Sequence, residues 1–190
     1  LVPVFMAGIP VNIKNTNNPT APGTKIVLKR DLTPNPVVGI ASDSGFCCIY
    51  VSKFMMNREI GFGRKLLQIL EEEGISYEHT PSGIDNISVI LKQNQFKTPE
   101  VEHKILDRIK NELQCDDVSI EHNLAIVIIV GEGMKNTVGT AARATSALAK
   151  ASISLEMINQ GSSEITMMFA VKEEEANKAV ISLYNEFFNK

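Results

Sequence analysis

Residues Ile49 to Val89 match Val127 to Met167 at a constant separation of 78 with no gap. Under this shift Met56 falls on Met134, Gly61 on Gly139, Leu70 on Leu148, Ile75 on Ile153, Ser76 on Ser154, Glu78 on Glu156, Gly83 on Gly161 and Ile87 on Ile165. Several of these identities sit where a chain turns or a helix begins, so the match reports shared architecture. Two copies of about 75 residues are too long for solenoid units and fit a duplicated small domain.

In the first copy Cys47 to Ser52 reads as a strand. Gly61 to Glu73 places Phe62, Leu66, Leu67, Ile69 and Leu70 on one helical face, and Gly74 stops the helix. Ile75 to Thr80 and Asn86 to Lys92 read as two strands around the turn Pro81, Ser82, Gly83. Thr98, Pro99 and Glu100 open a helix with the face Val101, Ile105, Ile109, and Val118 to Ile120 closes the copy. The order is βαββαβ, an α+β arrangement of the ferredoxin-like kind.

The second copy repeats this order through strand Leu124 to Val130, helix Val138 to Lys150, strands Ile153 to Asn159 and Ile165 to Val171, and helix Glu173 to Phe188. Its sixth element would map past Lys190. The unassigned apolar stretch Val37 to Ala41 is expected to supply the missing strand. The expected organisation is therefore 1–35 as a leading segment, 44–122 as the first domain, and 123–190 as the second, completed by 37–41.

With 44% hydrophobic and 22% charged residues the chain can bury real cores, and a net charge of -3 with scattered lysines argues against nucleic-acid binding. Cys47, Cys48 and Cys115 form no framework and suit a reducing cytoplasm, with the first two pointing to opposite strand faces. His79, His103 and His122 lack ligand spacing, so no metal site is expected. The longest apolar run, Leu124 to Val130, is too short to span a bilayer. The chain opens at Leu1 without an initiator Met, and it is expected to be a piece of a longer protein.

Each copy carries a glycine, Gly61 or Gly139, where a helix begins, and free N–H groups there favour an anion such as a carboxylate. Glu59 and Glu78 could face an ammonium group, so an amino acid would satisfy both charges. The plainer alternative is that the glycines relieve crowding in a tight connection. Ser76 and Ser154 recur as possible hydrogen-bonding groups, while Lys14, Lys25 and Arg30 read as solvated. No nucleophile stands beside a general base and no P-loop is present, so no catalytic residue is assigned. The sequence Gly131, Glu132, Gly133 lacks the third glycine of a dinucleotide loop.

The run ISLEMINQGSSEI from Ile153 to Ile165, with Leu124 to Ala151 before it, resembles the second ACT domain of aspartokinases. VNIKNTNNPTAPGTKI from Val11 to Ile26 is similar to the end of that family's kinase domain, and PSGIDNISVIL from Pro81 to Leu91 extends the resemblance over nearly the whole chain.

The resemblance implies an aspartokinase regulatory region of tandem ACT domains that binds an end-product amino acid, lysine or threonine, and controls ATP-dependent aspartate phosphorylation. It implies an effector pocket of Met56, Glu59, Gly61, Phe62, Gly63, Ser76, Tyr77 and Glu78, with Ser154 and Leu155 contributed by the second copy of a partner subunit. It further implies a cytoplasmic homodimer. The kinase domain's opening motif, of the KFGGTS type, does not occur here. ATP and magnesium are therefore expected to serve a catalytic domain outside this chain, which alone should be inactive and hold no cofactor. The first copy has MNREIGFG where a shorter aspartate, proline, glycine pattern is common, so its polar contacts are expected to differ. The alternative is a stand-alone ACT-type binding or interaction protein. The pocket-forming Glu59 and Gly63 occur only in the first copy, so the repeat is expected to be symmetric in fold and asymmetric in ligand binding.

Overall fold

A computed structural model describes residues 1–27 and 35–189. Arg30, read above as a solvated charge, lies outside the described residues. The chain divides into two compact units, Leu1–Pro34 and Asn35–Lys190. In the first, a short helix α1 (Val2–Met6) precedes strands β1 (Val11–Ile13) and β2 (Thr24–Ile26), which pair antiparallel. Lys14 Nζ donates to the Pro19 carbonyl across the connection.

The second unit contains β3 (Gly39–Ser52), α2 (Phe62–Glu72), β4 (Asn86–Lys92), α3 (Pro99–Glu112), β5 (Asp117–Val130), α4 (Thr140–Lys150), β6 (Met157–Asn159), β7 (Thr166–Lys172) and α5 (Ala176–Phe188). Its strands form one antiparallel sheet in the order β4-β3-β5-β7-β6. The two copies thus share a sheet. The shift of 78 carries all of β3 onto all of β5, and α2 onto α4. Residues 39–43 pair with 126–130, and 48–52 with 117–121. The first half of β3 therefore lies against the second copy, and its second half belongs to the first copy.

Sharing strands requires each one to change which side chains face the helices. On β5, Val118 and Ile120 pack against the first copy's core, whereas Ala125, Val127 and Ile129 pack in the second's. An odd separation flips the face of a regular strand, so the backbone must absorb a residue between them. Asn123, with φ +58°, does so on β5, and Gly45, with φ +80°, stands at the equivalent position of β3 among the register shifts. A left-handed residue in a bulge is the usual way to re-aim a strand.

The first core gathers Cys47, Ile49, Val51, Leu66, Leu70, Val89, Ile105 and Ile109 between the sheet and α2 and α3. The second gathers Val37, Val127, Leu148, Phe169, Leu183 and Phe187 beneath α4 and α5. A third cluster, Phe46, Ile90, Leu124, Ile126, Met157 and Ala170, includes no helix residue and lies on the opposite sheet face. It joins both copies, so all four helices lie on one side. Cys47 and Cys48 point to opposite faces, and burial pushes the Cys47 thiol up to about 12.

Three expectations fail. Ile153 to Asn159 is a strand only over its last three residues, β6 (Met157–Asn159). Ile75 to Thr80 does not form a regular strand; it meets β4 through an isolated bridge at His79, with Glu78 N–H donating to the Ile90 carbonyl, and the next bridge, at Ser82, lies beyond the segment. Pro81 lacks an amide hydrogen, and the Thr-Pro-Ser-Gly turn lies close by, so a continuous ladder cannot form. The gapless match also breaks. Ile49 pairs with Val89, but its counterpart Val127 pairs with Phe169, which places two extra residues in the second hairpin. Ile87 therefore corresponds to Met167 rather than Ile165, in keeping with burial: Ile87 and Met167 are buried and Ile165 is exposed. A two-residue insertion preserves strand alternation, which hid it from pattern reading.

The Gly131 and Gly133 pair has a packing explanation. A Cβ on Gly131 would meet the Pro36 carbonyl oxygen at 2.0 Å, and one on Gly133 the Pro36 Cα at 3.0 Å. These glycines admit the chain that leads into β3.

Candidate functional site

The connection from β3 to α2 is built around Lys53. Its Nζ donates to the Leu113 carbonyl at 2.6 Å, pairs with Glu59 at 2.6 Å and lies 5.6 Å from the centre of the Phe62 ring. Lys65, one turn into α2, holds the other Glu59 oxygen at 2.7 Å. These two ammonium groups keep the Glu59 carboxyl below the usual carboxylate range. Glu59, expected to face a ligand ammonium, already has two cationic partners.

Gly61 precedes α2 in the left-handed region at φ +77°, and no side chain caps the helix. Lys65 N–H returns to the Gly61 carbonyl, whereas the N–H groups of Gly63 and Arg64 meet no acceptor among the described residues. Two free amides at a positive helix end can receive a carboxylate. Met56 and Phe62 are buried in the first core, so they shape the loop from beneath. Gly139 opens α4 in the same way at φ +90°.

Ser76 and Tyr77 lie on the extended segment after α2. They border a groove of about 1150 Å³ that also includes Arg64, Gln68, Glu71 and Ile75. Glu78 borders a different hollow, of about 210 Å³, with Asp43, Phe46 and His79. The eight first-copy residues thus divide between a loop and two surfaces. In the second copy the equivalent loop borders a hollow of about 510 Å³ lined by Met134, Asn136, Gly139, Thr140, Gln160 and Glu164. There Asn136 N–H donates to the Glu164 carboxylate at 2.9 Å. Ser154 is exposed and Leu155 packs partly on the second core.

Sequence reading missed Lys53, Lys65 and Gln95. Gln95 bonds three groups of Ser76, 19 residues away, and nothing in the spacing announces it. Lys53 and Lys65 each stand six residues from Glu59, which is no helical neighbour distance, so only the folded loop brings them together.

A sheet of this order, with paired helices on one face and an uncapped helix start in each copy, defines an ACT-domain protein. Residues 127–187 match the ACT domain family. Over 188 residues the chain is 60% identical to Aspartokinase 3 of Bacillus subtilis (strain 168), covering 99% of this chain and 41% of that protein. It superposes on Clostridium acetobutylicum aspartate kinase with a TM-score of 0.91 and 40% identity, over 98% of this chain and 43% of that one. An E. coli aspartokinase III structure in complex with lysine and aspartate shares the fold at a TM-score of 0.77 and 23% identity, covering 99% and 41% of the two chains. The chain corresponds to the C-terminal regulatory region of aspartokinases, the part that carries their ACT domains. It spans less than half the length of these relatives.

Proposed function

We propose that this region binds an end-product amino acid, lysine or threonine or both, and controls ATP-dependent phosphorylation of aspartate by the catalytic domain of the same protein. The observation that carries this reading is the uncapped start of α2, where Gly61 leaves the Gly63 and Arg64 amides free for a carboxylate. The E. coli relative bound to lysine supports the ligand class. A second copy of the chain would complete the pocket, bringing Ser154 and Leu155 to the first copy of its partner. The exposed edge at Ser76 to Glu78 is available for such an approach. In this reading the protein works in the cytoplasm beside the biosynthetic enzymes of lysine, threonine and methionine, with ATP and magnesium confined to the catalytic domain.

Regulation then follows from linkage. An effector that prefers one arrangement of the subunits shifts their population by its differential affinity, and aspartate must affect effector binding reciprocally. Calorimetric titration with lysine, threonine, methionine and diaminopimelate tests the proposal. Saturable heat with lysine or threonine is expected, and silence to all four would sink it.

A further inference from the structure

Gln95, on the 3₁₀ turn after β4, reaches across to the free edge of the segment that follows α2. Its Oε1 accepts from the Ser76 N–H at 2.8 Å and from the Ser76 hydroxyl at 3.0 Å, and its Nε2 donates to the Ser76 carbonyl at 2.9 Å. A primary amide carries the same acceptor and donor as a peptide unit, so this side chain stands in for a neighbouring strand. The orientation of the amide is set by its partners, because a main-chain N–H only donates and a carbonyl only accepts.

The consequence lies at the hydroxyl. With its proton committed to Gln95, Ser76 Oγ presents lone pairs alone to anything else that approaches. A further partner there must be a donor, such as an ammonium, and a carboxylate is refused. The second copy differs at this point. The turn Glu173–Glu175 follows β7 as Gln93–Gln95 follows β4, so Glu175 occupies the place of Gln95. A carboxylate cannot donate to the Ser154 carbonyl, and Ser154 makes no hydrogen bond among the described residues.

We infer that Gln95 is a positioning residue of the effector site: it fixes Ser76 as an acceptor for an ammonium group of the amino-acid effector, while Glu175 leaves the second copy without that acceptor. The inference rests on the effector-binding reading given above and deepens it. Gln95 acts through Ser76 and need not touch the ligand.

The test is calorimetry on the wild-type chain, Gln95→Leu, Ser76→Ala and the double variant. Each is titrated with lysine, norleucine and ε-aminocaproate, and with threonine and β-hydroxybutyrate, so that every effector is compared with analogues lacking one ammonium. Gln95→Leu should weaken the effector about tenfold or more, the scale of a hydrogen bond to a charged group, and should leave the analogue that lacks the recognised ammonium nearly unchanged. Ser76→Ala, which keeps the main-chain clamp, should lose the same discrimination, and adding Gln95→Leu to it should change little further. Wild-type affinity in Gln95→Leu, or equal weakening of effector and analogues, would overturn the inference alone. A wild-type chain that binds none of these compounds would overturn the effector reading with it.

Discussion

Phe46 and Leu124 occupy equivalent positions of the two copies and are direct partners across the β3–β5 ladder. A residue that pairs with its own repeat lies on the twofold axis relating the copies. The axis thus passes through the sheet, with both side chains in the cluster on its helix-free face. Neither half has a private sheet to retain when the other melts, so residues 35–190 should unfold in a single transition. Scanning calorimetry should give equal calorimetric and van't Hoff enthalpies, and two resolved transitions would contradict this. Val37, at 1% exposure in the second core, gives a sharper test. Val37→Asp buries an unpaired charge and should cost roughly 3–5 kcal/mol, with hydrogen-exchange protection falling in α2 as well as α4.

The left-handed residues at the strand midpoints should separate by chemistry. Asn123→Val should destabilise by about 1–2 kcal/mol, because a β-branched residue resists positive φ, while Asn123→Gly should be near neutral. Gly45 has open space where a Cβ would stand, so any cost of Gly45→Val comes from the backbone alone. Chemical denaturation of the three variants provides the measurement.

Gly131 should behave in the opposite way. Its φ of 170° is ordinary extended backbone, yet an added Cβ would strike the Pro36 carbonyl oxygen. Gly131→Ala should therefore cost about 1–3 kcal/mol through displacement of the 36–37 chain. Thermal melts of Gly131→Ala beside Gly45→Ala distinguish crowding from conformation, provided that hydrogen exchange is followed at Val38, whose N–H donates to the Val130 carbonyl.

Lys65→Met leaves Glu59 with Lys53 alone and makes the loop less positive. If effectors bind there, affinity for lysine, which carries a second ammonium group, should rise about twofold to fivefold relative to threonine, the range of an exposed ion pair. An unchanged ratio in paired titrations would place the ligand side chain away from Glu59.

Acid should loosen the α2–α3 contact. Glu73 is held low by Lys104 and Arg108, and Glu72 by Arg108 and Gln68. A carboxylate with a depressed folded pKa stabilises fully above its unfolded value, about 4.3, and that contribution disappears as pH falls through the folded value. Stability should be level above about pH 5 and decline below it. Arg108→Leu should flatten the decline, as denaturation midpoints across pH would reveal.

The helices were largely legible because their signals are local. The apolar faces and the stop at Gly74 fix α2, and Thr98-Pro99 fixes α3. The role of Ile75 to Thr80 was not, because strand character there depends on a neighbour, and the neighbouring β4 meets it only at an isolated bridge. The candidate site was readable as a loop and a glycine, whereas its charge state was not. Lys53, Glu59 and Lys65 become one cluster only after the chain has folded back from β3 into α2.

The shared strands also limit how the molecule can be divided or altered. A boundary drawn between residues 122 and 123 follows the repeat in the sequence, yet it severs β5 in mid-span and parts the second copy from the segment of β3 that borders it. Neither repeat can be lifted out as a transferable module. In a graft or a domain exchange the smallest portable piece is the whole of residues 35–190, and a substitution in one copy's half of β3 or β5 acts on the other copy's framework as well.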